Sequence, residues 1–138
     1  MDLLRRALLG SGALPADVRV AITAEEALVV EEGLTGSVTR RRVRAPGQYT
    51  WLGWDVVAGA VAVTDRRLVV WAGRFKHIDV PHRHPLRAEI AVTADRPGRV
   101  CFTYGAGAGH PSVSGRVEVR LRTARAAEIT ELARRLAG

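Results

Sequence analysis

Between residues 56 and 64 apolar side chains fill both alternating sets, Val57, Val61 and Val63 on one and Val56, Ala58, Ala60 and Ala62 on the other. A strand covered on both faces has this pattern, so the segment reads as the central strand of a sheet. Residues 67–72 and 75–80 follow as a hairpin turning at Gly73 and Arg74, with Leu68, Val70 and Ala72 opposed to Val69 and Trp71. Residues 88–93 and 99–104 read as another hairpin about the turn at 95–98. The stretch 116–122 alternates most cleanly, Val117, Val119 and Leu121 against Arg116, Glu118, Arg120 and Arg122, and predicts a strand with one solvated face. Nearer the N-terminus, 27–34 and 37–44 read as two strands separated by a turn at Gly33 and Gly36, the second ended by Pro46 and Gly47.

The period changes to that of a helix only near the ends. Residues 124–136 place Ile129, Leu132, Ala133 and Leu136 on one stripe, with Thr123 as N-cap and Glu131 four residues before Arg135. Residues 1–9 put Leu3, Leu4, Ala7 and Leu8 on one side of a short helix and Arg5 and Arg6 on another. Gly10, Ser11, Gly12 and Pro15 then read as a linker, and 17–22 as a lead-in to the domain. Strands first and one helix last define a mainly β chain of the α+β type. It divides into an N-terminal helix and linker (1–24) and one domain (25–138), a small β-barrel or sandwich capped by the C-terminal helix.

A chain of 138 residues removes roughly two-thirds of its unfolded surface from water, enough for a core without staples. Cys101 is the only cysteine, which excludes an intramolecular disulfide and fits a reducing cytoplasm. Arg5 and Arg6 interrupt the apolar run at the N-terminus, leaving it too short for a signal sequence or a membrane span. The net charge of +7 raises anionic partners. All the basic residues but Lys76 are arginine, however, and a coding bias toward GC-rich codons accounts for that equally well. Residues 1–58 carry no net charge and 59–138 carry all of it, interleaved with acids rather than gathered in a tail.

Few motifs carry chemistry. The glycine run at 105–109 lacks the helix that a phosphate-binding loop opens, and reads as a hairpin loop. His77, His82 and His84 lie close together around Asp79, but their spacing matches no metal-ligand pattern, so exposed histidines in a polar turn are expected and no metal. Cys101, between Val100 and Phe102, reads as an inert interior thiol. No catalytic dyad or triad is visible, which points away from an enzyme and from a cofactor. The densest basic cluster is Arg40, Arg41, Arg42 and Arg44, in which an extended strand would align Arg40, Arg42 and Arg44 against Arg41. Such a row could clamp phosphates or carboxylates, or equally guard an edge strand against aggregation. Trp51 and Trp54 follow, and aromatics beside arginines suit either a nucleic-acid or peptide platform or core packing.

The phrases VAVTDRRLV at 61–69 and KHIDVP at 76–81, with Ile90 beyond, resemble the "l-x-x-T-D-R-R-l" and "I-x-x-I-P" strands of bacterial pleckstrin-homology-like (PH-like) domains, over roughly 25–137. LPADV at 14–18, after an apolar basic segment, is similar to short single-domain actinobacterial members. The resemblance implies a PH-like split barrel of two near-orthogonal antiparallel sheets plugged by the C-terminal helix. The stretch 37–54 is longer than the family pattern and leaves seven or eight strands open. It further implies a non-enzymatic binding module for a protein or peptide partner. Arg40, Arg42 and Arg44 resemble the R-x-R element of phosphoinositide-binding relatives, which keeps an anionic lipid surface or nucleic acid as the alternative. Similarity to ring-forming members makes a homo-oligomer conceivable.

Overall fold

Two long strands organise the molecule. In the computed structural model, which describes residues 11–107 and 112–138, β1 (Ala27–Ala45) and β2 (Gln48–Thr64) pair antiparallel along nearly their whole length. Beyond β2 lie β3 (Arg67–Ala72) and β4 (Phe75–Pro81). Beyond β1 lie β7 (Ser114–Arg122), β6 (Arg99–Gly105) and β5 (Ala91–Arg96). The order among the described residues is β4-β3-β2-β1-β7-β6-β5, seven strands, antiparallel throughout. β4 and β5 are the free edges, so the sheet is open rather than closed into a barrel. Two separate sheets were expected, and one continuous sheet forms because β1 bonds β2 on one side and β7 on the other.

The expected turn at Gly33 and Gly36 does not form. Gly33 takes φ +70° at a bulge, where the register slips by one residue between Glu31 and Leu34. Gly36 stays in the strand because β7 crosses it closely: a Cβ there would lie 1.8 Å from the Arg120 carbonyl oxygen. The two short strands of the sequence pattern are therefore one.

One face of the sheet carries the main core, Val38, Val57, Val61, Leu68, Phe102 and Val119 among others. Helix α2 (Ala126–Ala137) lies on it through Ala126, Ile129 and Ala133, with Leu132 and Leu136 packed at the margin. It begins slightly later than its apolar pattern suggests. Thr123 is not the N-cap; its hydroxyl accepts from the Arg125 backbone and donates to Glu31, both at 3.1 Å. Glu131 pairs with Arg134, at 2.7 Å, instead of Arg135. The first part of the strand expected at 88–93 is a 3-10 turn (Pro85–Glu89). From it the buried Arg87 donates to the carbonyls of Ile90 at 2.9 Å and Ala133 at 3.0 Å, tying the turn to α2.

The other face is only partly covered. Helix α1 (Ala16–Ala24) occupies the stretch read as linker and lead-in, and it packs Val18, Ile22 and the preceding Leu14 on Ala60, Ala62 and Val69. Alanines at this part of β2 leave room for a helix. Glu32 holds it in place, accepting from the Leu14 backbone at 2.8 Å and from Arg19 at 2.7 Å. The helix expected at 1–9 lies outside the described residues. The T-D-R-R phrase is a structural turn: the Thr64 hydroxyl accepts from the backbones of Arg66 and Arg67, and Arg67 bridges Glu25 and Asp79 at 3.0 Å each. Among the described residues no helix is long and apolar enough to cross a membrane.

Candidate interaction face

Along the outer face of β2 the cover ends abruptly. Ala62 and Ala60 lie under α1, and Ala58 is sealed by Gly12, whose carbonyl accepts from the Gly33 backbone at 2.8 Å. The next residues on that face, Val56, Trp54 and Leu52, are 43%, 62% and 56% exposed. Across the short side chains of Thr35, Ser37 and Thr39 on β1 stands the outward row of β7. The register sets Val56, Ser37 and Arg120 in one line and Trp54, Thr39 and Glu118 in the next. Between the apolar row and the arginines runs a groove of about 660 Å³, reached also by Arg41, Arg99 and Arg122.

Ion pairs lace the basic side of this groove. Glu118, one-tenth exposed, accepts from Arg41 and, at 2.6 Å, from Arg120, with Arg116 at 3.8 Å. Arg120 also reaches Asp95 at 3.2 Å, which Arg99 grips with a two-pronged fork at 2.9 and 2.6 Å. Burial pushes the Glu118 carboxyl up, but hydrogen bonds from Arg41 and Arg120 outweigh it and hold the group below its ordinary value. Asp95 is held low chiefly by Arg99. Arg122, opposite Arg99 in the register, has no acidic partner among the described residues.

Against β2 the arginines of β1 keep the expected alternation, Arg40 and Arg44 beside Gly53 and Tyr49 and Arg41 beside Leu52. Arg42 sits at φ +53° in a bulge opposite β7, where Gly115 approaches so closely that a Cβ would lie 2.6 Å from the Arg42 carbonyl oxygen. The bulge shifts the register against β7 by one residue and leaves that against β2 unchanged. Each arginine of the row has a partner on the same alternating set of β2: Arg40 pairs with Asp55 at 2.7 Å, Arg42 stacks 5.1 Å over the Trp51 ring and Arg44 4.9 Å over Tyr49. The strand is not a charged edge, since β1 is bonded on both sides. Of the six residues singled out in the sequence, Arg41 and Trp54 line the groove; Trp51 and Arg42 join Arg41 around an adjoining hollow, and Arg40 and Arg44 lie outside both. Trp51 and Trp54 are both exposed, not core.

The histidines go separate ways. The Nδ1 of His77 is 2.7 Å from the Tyr104 hydroxyl, and burial, with Arg40 nearby, holds its pKa below the ordinary value. His82 is buried rather than exposed, its Nε2 2.8 Å from the Thr64 carbonyl. The Nδ1 of exposed His84 accepts from the Leu86 backbone at 3.1 Å. Cys101 is buried beside Thr103, and burial pushes its thiol up. Part of the glycine run at 105–109 lies outside the described residues.

Leu52, Val56, Arg99, Arg120 and Arg122 were not singled out by the sequence. Their alternation marks an outward face but not what it faces, and Arg120 meets Ser37 only through pairing of strands far apart in the chain. Comparison of the chain with protein-family models, with curated proteins and with solved structures gives no match.

Proposed function

We propose that the chain is a non-enzymatic, cytoplasmic interaction module of the PH-like type that docks a protein or peptide on this groove. The observation that carries the reading is the row Leu52, Trp54 and Val56: large apolar side chains standing in water on a strand face whose neighbouring alanines are covered. Burying such a row under a partner recovers about 25 cal/mol per Å² of apolar surface. The strand order with a single helix last, and the VAVTDRRLV turn, support the PH-like assignment. A polyanion is less favoured. Arg41, Arg99 and Arg120 are already engaged by Glu118 and Asp95, which leaves too little free positive charge in the groove to hold a polyanion by charge alone, without the apolar row. The R-x-R arginines are dispersed among separate partners.

Selection of peptides from a random displayed library checks this reading. Enriched peptides should lose at least about tenfold in affinity toward Trp54→Ala and keep it toward Phe75→Ala, an exposed aromatic on β4. Retention on heparin or anionic vesicles that falls steeply from about 50 to about 200 mM salt, and survives Trp54→Ala, overturns it.

A further inference from the structure

We infer that the occupant of the groove is an acidic amphipathic helix of a partner protein, its apolar stripe on Leu52, Trp54 and Val56 and its carboxylates toward Arg120 and Arg122. The inference rests on the groove being a protein-docking site and adds the form and charge of what docks.

The form follows from the floor. β1 lies between β2 and β7, and its backbone groups are bonded within the sheet on both sides. An extended peptide laid on this face finds no ladder to join and buries its own amides without partners. A helix brings its backbone already bonded. The walls on β2 and β7 are centred two strand spacings apart, about 9.6 Å, so a helix roughly 10 Å across would rest along both rims. From Thr35 to Arg41 the floor runs about 20 Å, the length of about 13 helical residues. The same outer face already seats α1 over Ala60 and Ala62, immediately up the strand.

The charge follows from the walls. Arg41, Arg99, Arg120 and Arg122 line the groove, and among the described residues only Asp95 and Glu118 pair with them, none with Arg122. A second copy of the chain would oppose one positive face with another. Residues 1–9, with Arg5 and Arg6 against Asp2, also carry the wrong sign. Carboxylates along one flank of a helix would meet Arg122 and share Arg120.

A synthetic alanine-based peptide of about 14 residues, with leucines at helical spacing and glutamates along one flank, tests this. Its comparisons are a peptide of the same composition with leucine and glutamate alternating, a lysine-for-glutamate version, and phosphatidylglycerol vesicles. Anisotropy should show the acidic helix binding at least about tenfold tighter than either other peptide, with Trp54→Ala and Arg122→Glu each losing about tenfold. Amide shifts should centre on Ser37 and Thr39. No binding by the helical peptide overturns the inference. Equal binding by the alternating peptide overturns the helical form while leaving peptide docking intact; vesicle binding with no peptide binding overturns the underlying reading. A dimer in sedimentation that dissociates on Trp54→Ala gives the face to a second copy instead.

Discussion

Replacing Ile129 with alanine should remove a large part of the stability of this domain. Ile129 is fully enclosed between α2 and the sheet. Alanine deletes three buried carbons, worth about 2.4 kcal/mol in transfer at roughly 0.8 kcal/mol each. The cavity left behind adds to this, because a strand-paired sheet closes in poorly; the total should be about 3 to 4 kcal/mol. Domains of this size have only about 5 to 15 kcal/mol in hand. Leu132, only partly buried at the margin of the same helix, should cost about 1 to 2 kcal/mol on the same substitution. Glu128→Ala, at an exposed position, should leave the unfolding midpoint where it is. Urea unfolding followed by far-UV circular dichroism measures all three, with an unchanged slope confirming that the midpoints report stability. An Ile129→Ala variant within about 1 kcal/mol of the parent, or one less affected than Leu132→Ala, would refute the seating of α2 on the core.

Gly36→Ala should destabilise by about 3 kcal/mol or more, since its Cβ would be driven onto the Arg120 carbonyl; a folded variant with an unchanged thermal midpoint would contradict the close β1–β7 crossing. Trp54→Ala, at a mostly exposed position, should change stability by less than about 0.5 kcal/mol, so any binding it loses is lost from the face and not from the fold. The carboxyls of Glu118 and Asp95 have folded values below their ordinary ones. Their contribution is therefore complete above the ordinary carboxylate range near pH 4 and disappears as pH falls through the depressed values. Glu118→Gln should accordingly flatten the acid limb of a stability–pH curve, and an unaltered limb would mean that the Arg41–Glu118–Arg120 bonds do not persist in solution.

Elements with a strong local period were legible from the sequence alone. Alternation at 116–122 and 67–72 and the stripe of Ile129, Leu132 and Ala133 suffice, because each element buries one face and its own residues record which. Gly33 and Gly36 look alike in sequence and play opposite parts: one absorbs a bulge, the other lets a strand pass. Only the position of β7 separates them. Helix α1 was hidden because Val18, Val20 and Ile22 alternate like a strand, and what seats the helix is the room over Ala60 and Ala62. Arg41 and Trp54 stood out as binding candidates from residue type. Their conversion into one wall and one rim of a groove, opposite Arg120 and Arg122, was decided by the β2-β1-β7 order, since strand pairing joins residues that no local pattern connects.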